Sequence, residues 1–95
     1  MHVISRKPLD EFVRRQPQAK SSLNTWWEVA EKADWRTIGQ VKESWGSADY
    51  VQRFTVFNIS GNKYRLITRI DYERKRVYVR EVLTHAEYSR GRWKR

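Results

Sequence analysis

The chain has 95 residues, among them five Trp, five Tyr, three Phe and no Cys, and its 20 Lys and Arg against 11 Asp and Glu leave a net charge of +9. So many large rings, each burying roughly 150–250 Å2, exclude a disordered basic tail, and the lack of cysteine excludes disulfide frameworks, thiolate metal sites and cysteine nucleophiles. No apolar run approaches the ~18 residues of a membrane span, and MHVISRKPLDEF lacks the apolar core of a signal peptide, so one domain over residues 1–95 in a reducing cytoplasm is expected.

His2 to Ser5 reads as a short strand, first in the chain or at a sheet edge. Pro8 suits the first turn of a helix, where its missing N–H costs nothing. Leu9, Phe12 and Val13 give that helix one apolar face before Pro17 stops it. A second helix is expected from about Gln18 to Ala33, with Ala19, Leu23, Trp26, Trp27 and Ala30 as its stripe and Glu28–Lys32 as an outward pair. Asp34 is the expected cap of a third, shorter helix carrying Trp35, Ile38 and Val41, ended by Trp45, Gly46 and Ser47.

From Tyr50 the apolar period changes to two. Tyr50 to Ile59 reads as one strand, Ser60-Gly61-Asn62 as a hairpin turn, Lys63 to Tyr72 as the next strand, and Arg76 to Leu83 as the last, after a Glu73-Arg74-Lys75 turn. The expected class is α+β, with the N-terminal strand and helices on one face of a small antiparallel sheet whose C-terminal strands form a three-stranded meander. That layout leaves the other face for function.

Charge is concentrated in the second half. Residues 1–47 hold eight Lys and Arg against six acids, and residues 48–95 hold twelve against five. Such asymmetry points to a polyanionic partner. In the middle meander strand, Tyr64, Leu66, Thr68, Ile70 and Tyr72 face the core, while Lys63, Arg65, Ile67 and Arg69 share the opposite face. Arg pairs bidentately with phosphate, although Asp71, Glu73 or Glu81 would equally suit Arg65 and Arg69. In the last strand Tyr78, Arg80 and Val82 alternate with Val77, Val79 and Leu83, with Arg80 at the rim.

His85 closes that strand and Tyr88 follows three residues on, one helical turn away, before a tail containing Arg90, Arg92, Trp93 and Lys94. A His that takes or gives protons near neutral pH, a Tyr and several Arg at one strand end suit RNA cleavage by its own 2′-OH. This chemistry calls on no metal and no cofactor. It requires a base, an acid and cations facing the phosphorane. Two other readings fit the same residues: a non-catalytic basic module for RNA or DNA, and a protein-interaction domain whose cations meet an acidic partner.

The stretch from Val56 to Ile67 (VFNISGNKYRLI), with Val82 to Tyr88 (VLTHAEY), the opening MHVISRKPL and the Trp-rich second helix, resembles the HigB family of bacterial toxins, within the RelE-like superfamily. The resemblance covers nearly the whole chain. It implies a small antiparallel sheet with N-terminal helices and an mRNA endoribonuclease acting on the translating ribosome. It also implies a type II toxin–antitoxin pairing, in which a HigA-type helix-turn-helix antitoxin neutralises the toxin and alone contacts operator DNA. By the same resemblance Arg65 stabilises the transition state, His85 takes the strand-end catalytic position and Tyr88 the C-terminal aromatic one. Lys63, Arg69, Arg80, Arg90, Arg92, Trp93 and Lys94 match no family position strictly and are expected as RNA or ribosome contacts.

Overall fold

A computed structural model describes residues 1–94. Its strands are β1 (His2–Ile4), β2 (Asp49–Val51), β3 (Phe54–Ile59), β4 (Tyr64–Asp71) and β5 (Arg76–Thr84); its helices are α1 (Lys7–Arg15), α2 (Lys20–Lys32), α3 (Ile38–Ser44) and α4 (His85–Ser89). The sheet has five strands in the order β1-β5-β4-β3-β2. The α+β class and the β3-β4-β5 meander are as expected. The sheet is mixed rather than antiparallel, because β1 runs parallel to β5 at its edge. The α-amino group of Met1 donates to the carbonyls of Ala30 (3.1 Å) and Ala33 (2.5 Å) at the end of α2. A cation is favoured there by the exposed helix carbonyls. The first strand is thereby tied to the helical layer and enters the sheet from outside the meander.

Leu9 and Phe12 of α1 and Leu23, Trp26 and Ala30 of α2 are buried at helical spacing. With Val41 of α3 they cover one face of the sheet. Phe57 meets this layer edge-on at Trp26, with ring centroids 5.3 Å apart, and stacked on Trp35 at 6.1 Å. Trp27 is only half-buried, under the Arg6 guanidinium at 4.8 Å. Glu28 and Lys32 form no ion pair among the described residues.

Two local expectations change. The cap of α3 is Thr37, whose side chain accepts from the Gln40 N–H. Asp34 instead pairs with Lys75 and Arg36, so Trp35 precedes the helix and anchors itself through an indole bond to Ser44. The single strand expected from Tyr50 to Ile59 is two strands, β2 and β3, paired as a hairpin in which Val51 faces Phe54. Gln52 turns the chain with φ 59°. No Gly or Pro marks that turn, which hides it in an apparently continuous alternation.

A bulge interrupts β5. Ile67 pairs with Glu81 but Thr68 with Val79, so Arg80 is the extra residue. Alternation therefore slips by one: Val82, not Leu83, joins Val77 and Val79 on the helix side, and Leu83 packs with Ile67 on the other. That second face is not left open. Phe54, Val56 and Ile67 carry a smaller apolar cluster closed by Trp93, which lies in a 3-10 turn over Arg92–Lys94. No helix among the described residues is long and apolar enough to cross a membrane.

Candidate active site

The site forms where β5 runs into α4. Thr84 caps the helix: its hydroxyl accepts the Glu87 N–H at 3.2 Å, and the Glu87 carboxylate accepts the Thr84 N–H at 2.9 Å. This reciprocal box satisfies two donors that a helix start otherwise leaves open. The His85 N–H donates to the Lys63 carbonyl at 3.0 Å, fastening α4 to the β3–β4 turn. Arg15, at the end of α1, reaches Glu87 at 3.5 Å. The Thr84 backbone bond first, and the Arg15 guanidinium after it, hold the Glu87 carboxyl below its ordinary pKa. The short helix is thus fixed from three directions.

Arg65 lies on β4, opposite Asn58 of β3 and Leu83 of β5, and is only 8% exposed. Its guanidinium donates to the carbonyls of Asn62 and Tyr64, both at 3.2 Å, and to the Asn62 side-chain oxygen. It also lies over the Tyr88 ring, 5.2 Å from the centroid. None of these partners is a carboxylate, and Arg65 forms no ion pair among the described residues. Asp71 is engaged by Arg74 and Glu81 by Arg80. A cation desolvated among neutral acceptors keeps its charge for an incoming anion.

The Tyr88 ring stacks on Trp93, with centroids 4.8 Å apart and planes 14° from parallel. The Trp93 indole donates to the Tyr88 carbonyl at 2.9 Å. Trp93 is only 4% exposed, and Phe54 meets it edge-on at 6.0 Å. Its ring is taken up in holding Tyr88, which leaves no face for a base. The Tyr88 hydroxyl makes no hydrogen bond among the described residues.

His85 is exposed at the first position of α4, with the Ser89 hydroxyl 3.4 Å from its Nδ1 and donating to its carbonyl at 2.9 Å. The structure thus brings Arg65 and Tyr88 together, with His85 three residues before Tyr88 on α4 and its backbone bonded to Lys63, which is exposed on the adjoining turn. Arg90, Arg92 and Lys94 are exposed around Trp93, and the first two line a 240 Å3 groove with Glu81, Leu83 and Glu87. Arg69 is not part of this group. It pairs in register with Tyr78, four residues along β4 from Arg65, or about 13 Å at strand rise. Arg80 sits at the bulge, 4.7 Å from the Phe54 ring centroid and 3.4 Å from Glu81, beside a separate groove next to α1.

Sequence reasoning misses the residues that hold the site: Asn62, Thr84, Glu87 and Arg15. Thr84 and Glu87 are readable in principle, because Thr-x-x-Glu is the spacing of a capping box. Arg15 gives no signal, since 72 residues separate it from Glu87. Among the described residues no three His, Asp or Glu side chains are grouped to hold a metal ion.

Similarity to known proteins follows the same outline. The mRNA interferase HigB of Escherichia coli O6:H1 is 29% identical over 93 residues, covering 95% of this chain and 90% of its own length. The mRNA interferase toxin HigB of Escherichia coli K12 is 32% identical over 92 residues, covering 94% and 88%. The mRNA interferase HigB of Shigella flexneri matches to the same extent, 32% over 92 residues. Residues 19–91 match the HigB toxin family as a whole. The chain belongs to that family, the RelE-like toxic component of a toxin–antitoxin system.

Proposed function

We propose that this protein is an mRNA endoribonuclease, the toxin of a type II toxin–antitoxin pair, which cuts RNA through the RNA's own 2′-hydroxyl. The observation that carries this reading is Arg65: a nearly buried guanidinium with no carboxylate partner among the described residues, set over the ring of Tyr88 on the short helix that His85 begins. A base removes the 2′-OH proton and the oxygen attacks the adjacent phosphorus. The bond from phosphorus to the 5′ oxygen then breaks, and an acid gives that oxygen a proton. The products are a 2′,3′-cyclic phosphate and a 5′-OH end.

His85, exposed and free to move a proton, serves as one of the two proton-transfer groups. Arg65 faces the charge that builds on the phosphorane, a role that gains from its dry surroundings. Tyr88 contributes its hydroxyl, because its ring is already occupied by Trp93 and Arg65. Lys63, Arg90, Arg92 and Lys94 hold the flanking phosphates, and Arg69 and Arg80 contact RNA or ribosome farther away. No step uses a metal. The toxin acts in the cytoplasm on mRNA being translated by the ribosome. A HigA-type helix-turn-helix antitoxin restrains it and provides the only contact with operator DNA.

The test is to incubate the protein with translating ribosomes and a defined mRNA and to map new 5′-OH ends. Cleavage is expected, unchanged by EDTA and lost in His85→Ala and Arg65→Ala proteins whose circular dichroism stays native. Intact mRNA with the wild-type protein overturns the reading in favour of a non-catalytic basic module.

A further inference from the structure

Strand β5 is nine residues long, but its outer neighbour β1 covers only the first three, pairing His2, Val3 and Ile4 with Arg76, Val77 and Tyr78. Past Ile4 the chain turns away into α1, and no strand among the described residues takes the rest of that edge. A groove of 290 Å3 lies there instead, walled by one stripe of α1 (Pro8, Glu11, Phe12 and Arg15) and by β5 from Arg80 to Val82.

The backbone of Val82 points into this opening. The β4–β5 register sets Thr84 opposite Tyr64, and one step further the His85 N–H donates to the facing Lys63 carbonyl at 3.0 Å. Opposed residues of an antiparallel pair alternate between bonded and unbonded. Counting back from His85, Leu83 and Glu81 aim their backbone groups at β4, whereas Thr84 and Val82 aim theirs outward. Thr84 shows the phase, because its N–H goes to the Glu87 carboxylate and not to β4. Val82 has no such substitute: its N–H and C=O meet no hydrogen-bond partner among the described residues, although the residue is only 6% exposed. Buried backbone groups are almost always paired, so an outward N–H and C=O beside a groove mark an unfilled place in the sheet.

The charges of the groove are already matched: Glu11 pairs with Lys7, Arg15 with Glu87 and Arg80 with Glu81. A polyanion finds little excess charge there. An extended peptide supplies the complementary carbonyl and N–H, and can set an apolar side chain against Pro8, Phe12 and Val82.

We infer that this edge is where the antitoxin docks, a short extended segment of it lying beyond the end of β1 and joining the sheet at Val82. The inference rests on the toxin–antitoxin pairing above, and membership of the toxin family supplies a dedicated protein partner. Phe12 and Val82 belong to the helix-covered core, whereas Arg65 lies on the opposite face with Ile67. The docked segment therefore leaves Arg65 uncovered. It touches Arg15 instead, the side chain that steadies Glu87 of α4.

Amide hydrogen exchange of the 15N-labelled full chain, alone and bound to its antitoxin, tests this residue by residue. In the free chain the Val82 amide is expected to exchange faster than those of Glu81 and Leu83, which the ladder protects. In the complex it is expected to slow by about tenfold or more, as a new hydrogen bond requires. Val82→Pro removes the donor without breaking a bond to β4, and is expected to weaken antitoxin binding about tenfold while mRNA cleavage persists. Protection elsewhere with Val82 unchanged overturns the docking and leaves the toxin–antitoxin pairing standing. So does a Val82 amide already slow in the free chain; if that protection fades on dilution, a second copy fills the edge. Failure to form any complex overturns the pairing and the docking with it.

Discussion

The Arg65 guanidinium lies 5.2 Å from the centroid of the Tyr88 ring, and the same ring stacks on Trp93 at 4.8 Å. One aromatic side chain therefore links the cation of β4 to the apolar cluster that holds the C-terminal segment against the sheet. Orientation of Arg65, docking of α4 and burial of Trp93 are parts of one packing unit.

Arg65→Ala is expected to lower the rate of mRNA cleavage by about 10²–10³, the usual effect of removing a preorganised group that faces developing charge. Arg65→Lys is expected to recover little of it. A lysine carries the charge but cannot reach Asn62 and Tyr64 through a planar fork. Single-turnover cleavage of a reporter mRNA measures both. A Lys variant near wild-type rate would show that charge alone suffices.

Trp93→Ala should destabilise the fold by about 3 kcal/mol, at the low end for a buried Trp replaced by Ala because the cluster it closes is small. Denaturant unfolding gives the number. Cleavage should fall as well, since Tyr88 loses its support. Trp93→Phe, which keeps a ring against Tyr88 and Phe54, is expected to retain most of both properties. Full stability in the Ala variant would mean that the C-terminal turn does not close the cluster.

Glu87 gives a pH dependence whose sign follows from its depressed carboxyl. A group whose folded pKa lies below its unfolded value stabilises the fold above the unfolded value, here the ordinary 4.5, and that contribution is lost as pH falls through the folded value. Docking of α4 should weaken in that acid window and be insensitive to pH above it. Asp34 and Asp71 are shifted in the same direction, so the informative quantity is the difference between wild type and Glu87→Gln. Near-UV circular dichroism against pH should show a smaller acid change in the variant. Identical curves would remove Glu87 from the linkage.

Replacing Lys63, Arg90, Arg92 and Lys94 by Ala is expected to flatten the salt dependence of RNA binding, by about 0.7 in log–log slope for each single-strand phosphate no longer neutralised. Affinity at low salt should fall while the cleavage rate of bound RNA stays close to wild type, because Arg65 is held by Asn62, Tyr64 and Tyr88 and not by any of the four. An unchanged slope would place the phosphates elsewhere, Arg69 and Arg80 being the next cations to replace.

Much of this architecture is legible in the sequence because alternation along β4 and helical spacing along α1 and α2 are strong signals. Arg65, His85 and Tyr88 stand out for their chemistry and their place at strand ends. Other features have no such mark. The β2–β3 turn at Gln52 carries neither Gly nor Pro. Asp34 is as good a cap residue as Thr37, and only the tertiary pull of Lys75 decides between them. The tail reads as cationic and solvated, although Trp93 has an apolar cluster to enter once Phe54, Val56 and Ile67 share a face. Contacts such as Arg15–Glu87 join distant parts of the chain and become visible only when the elements are assembled.

The extra residue at Arg80 gives β5 a frame, much as codons give one to a message. Everything from Glu81 to the cap at Thr84 is set in phase by that one insertion, and α4 starts from whatever phase it inherits. Removing Arg80 would close the bulge and leave Val82 inward and Leu83 outward, whereas removing Val82 would put either Leu83 or Glu81 on the helix side. A change of one residue in the 73–75 turn leaves that phase intact. A lost residue is therefore absorbed at Arg80 and costly at Val82, so a single-residue deletion series across β5 should show its mildest effect at position 80.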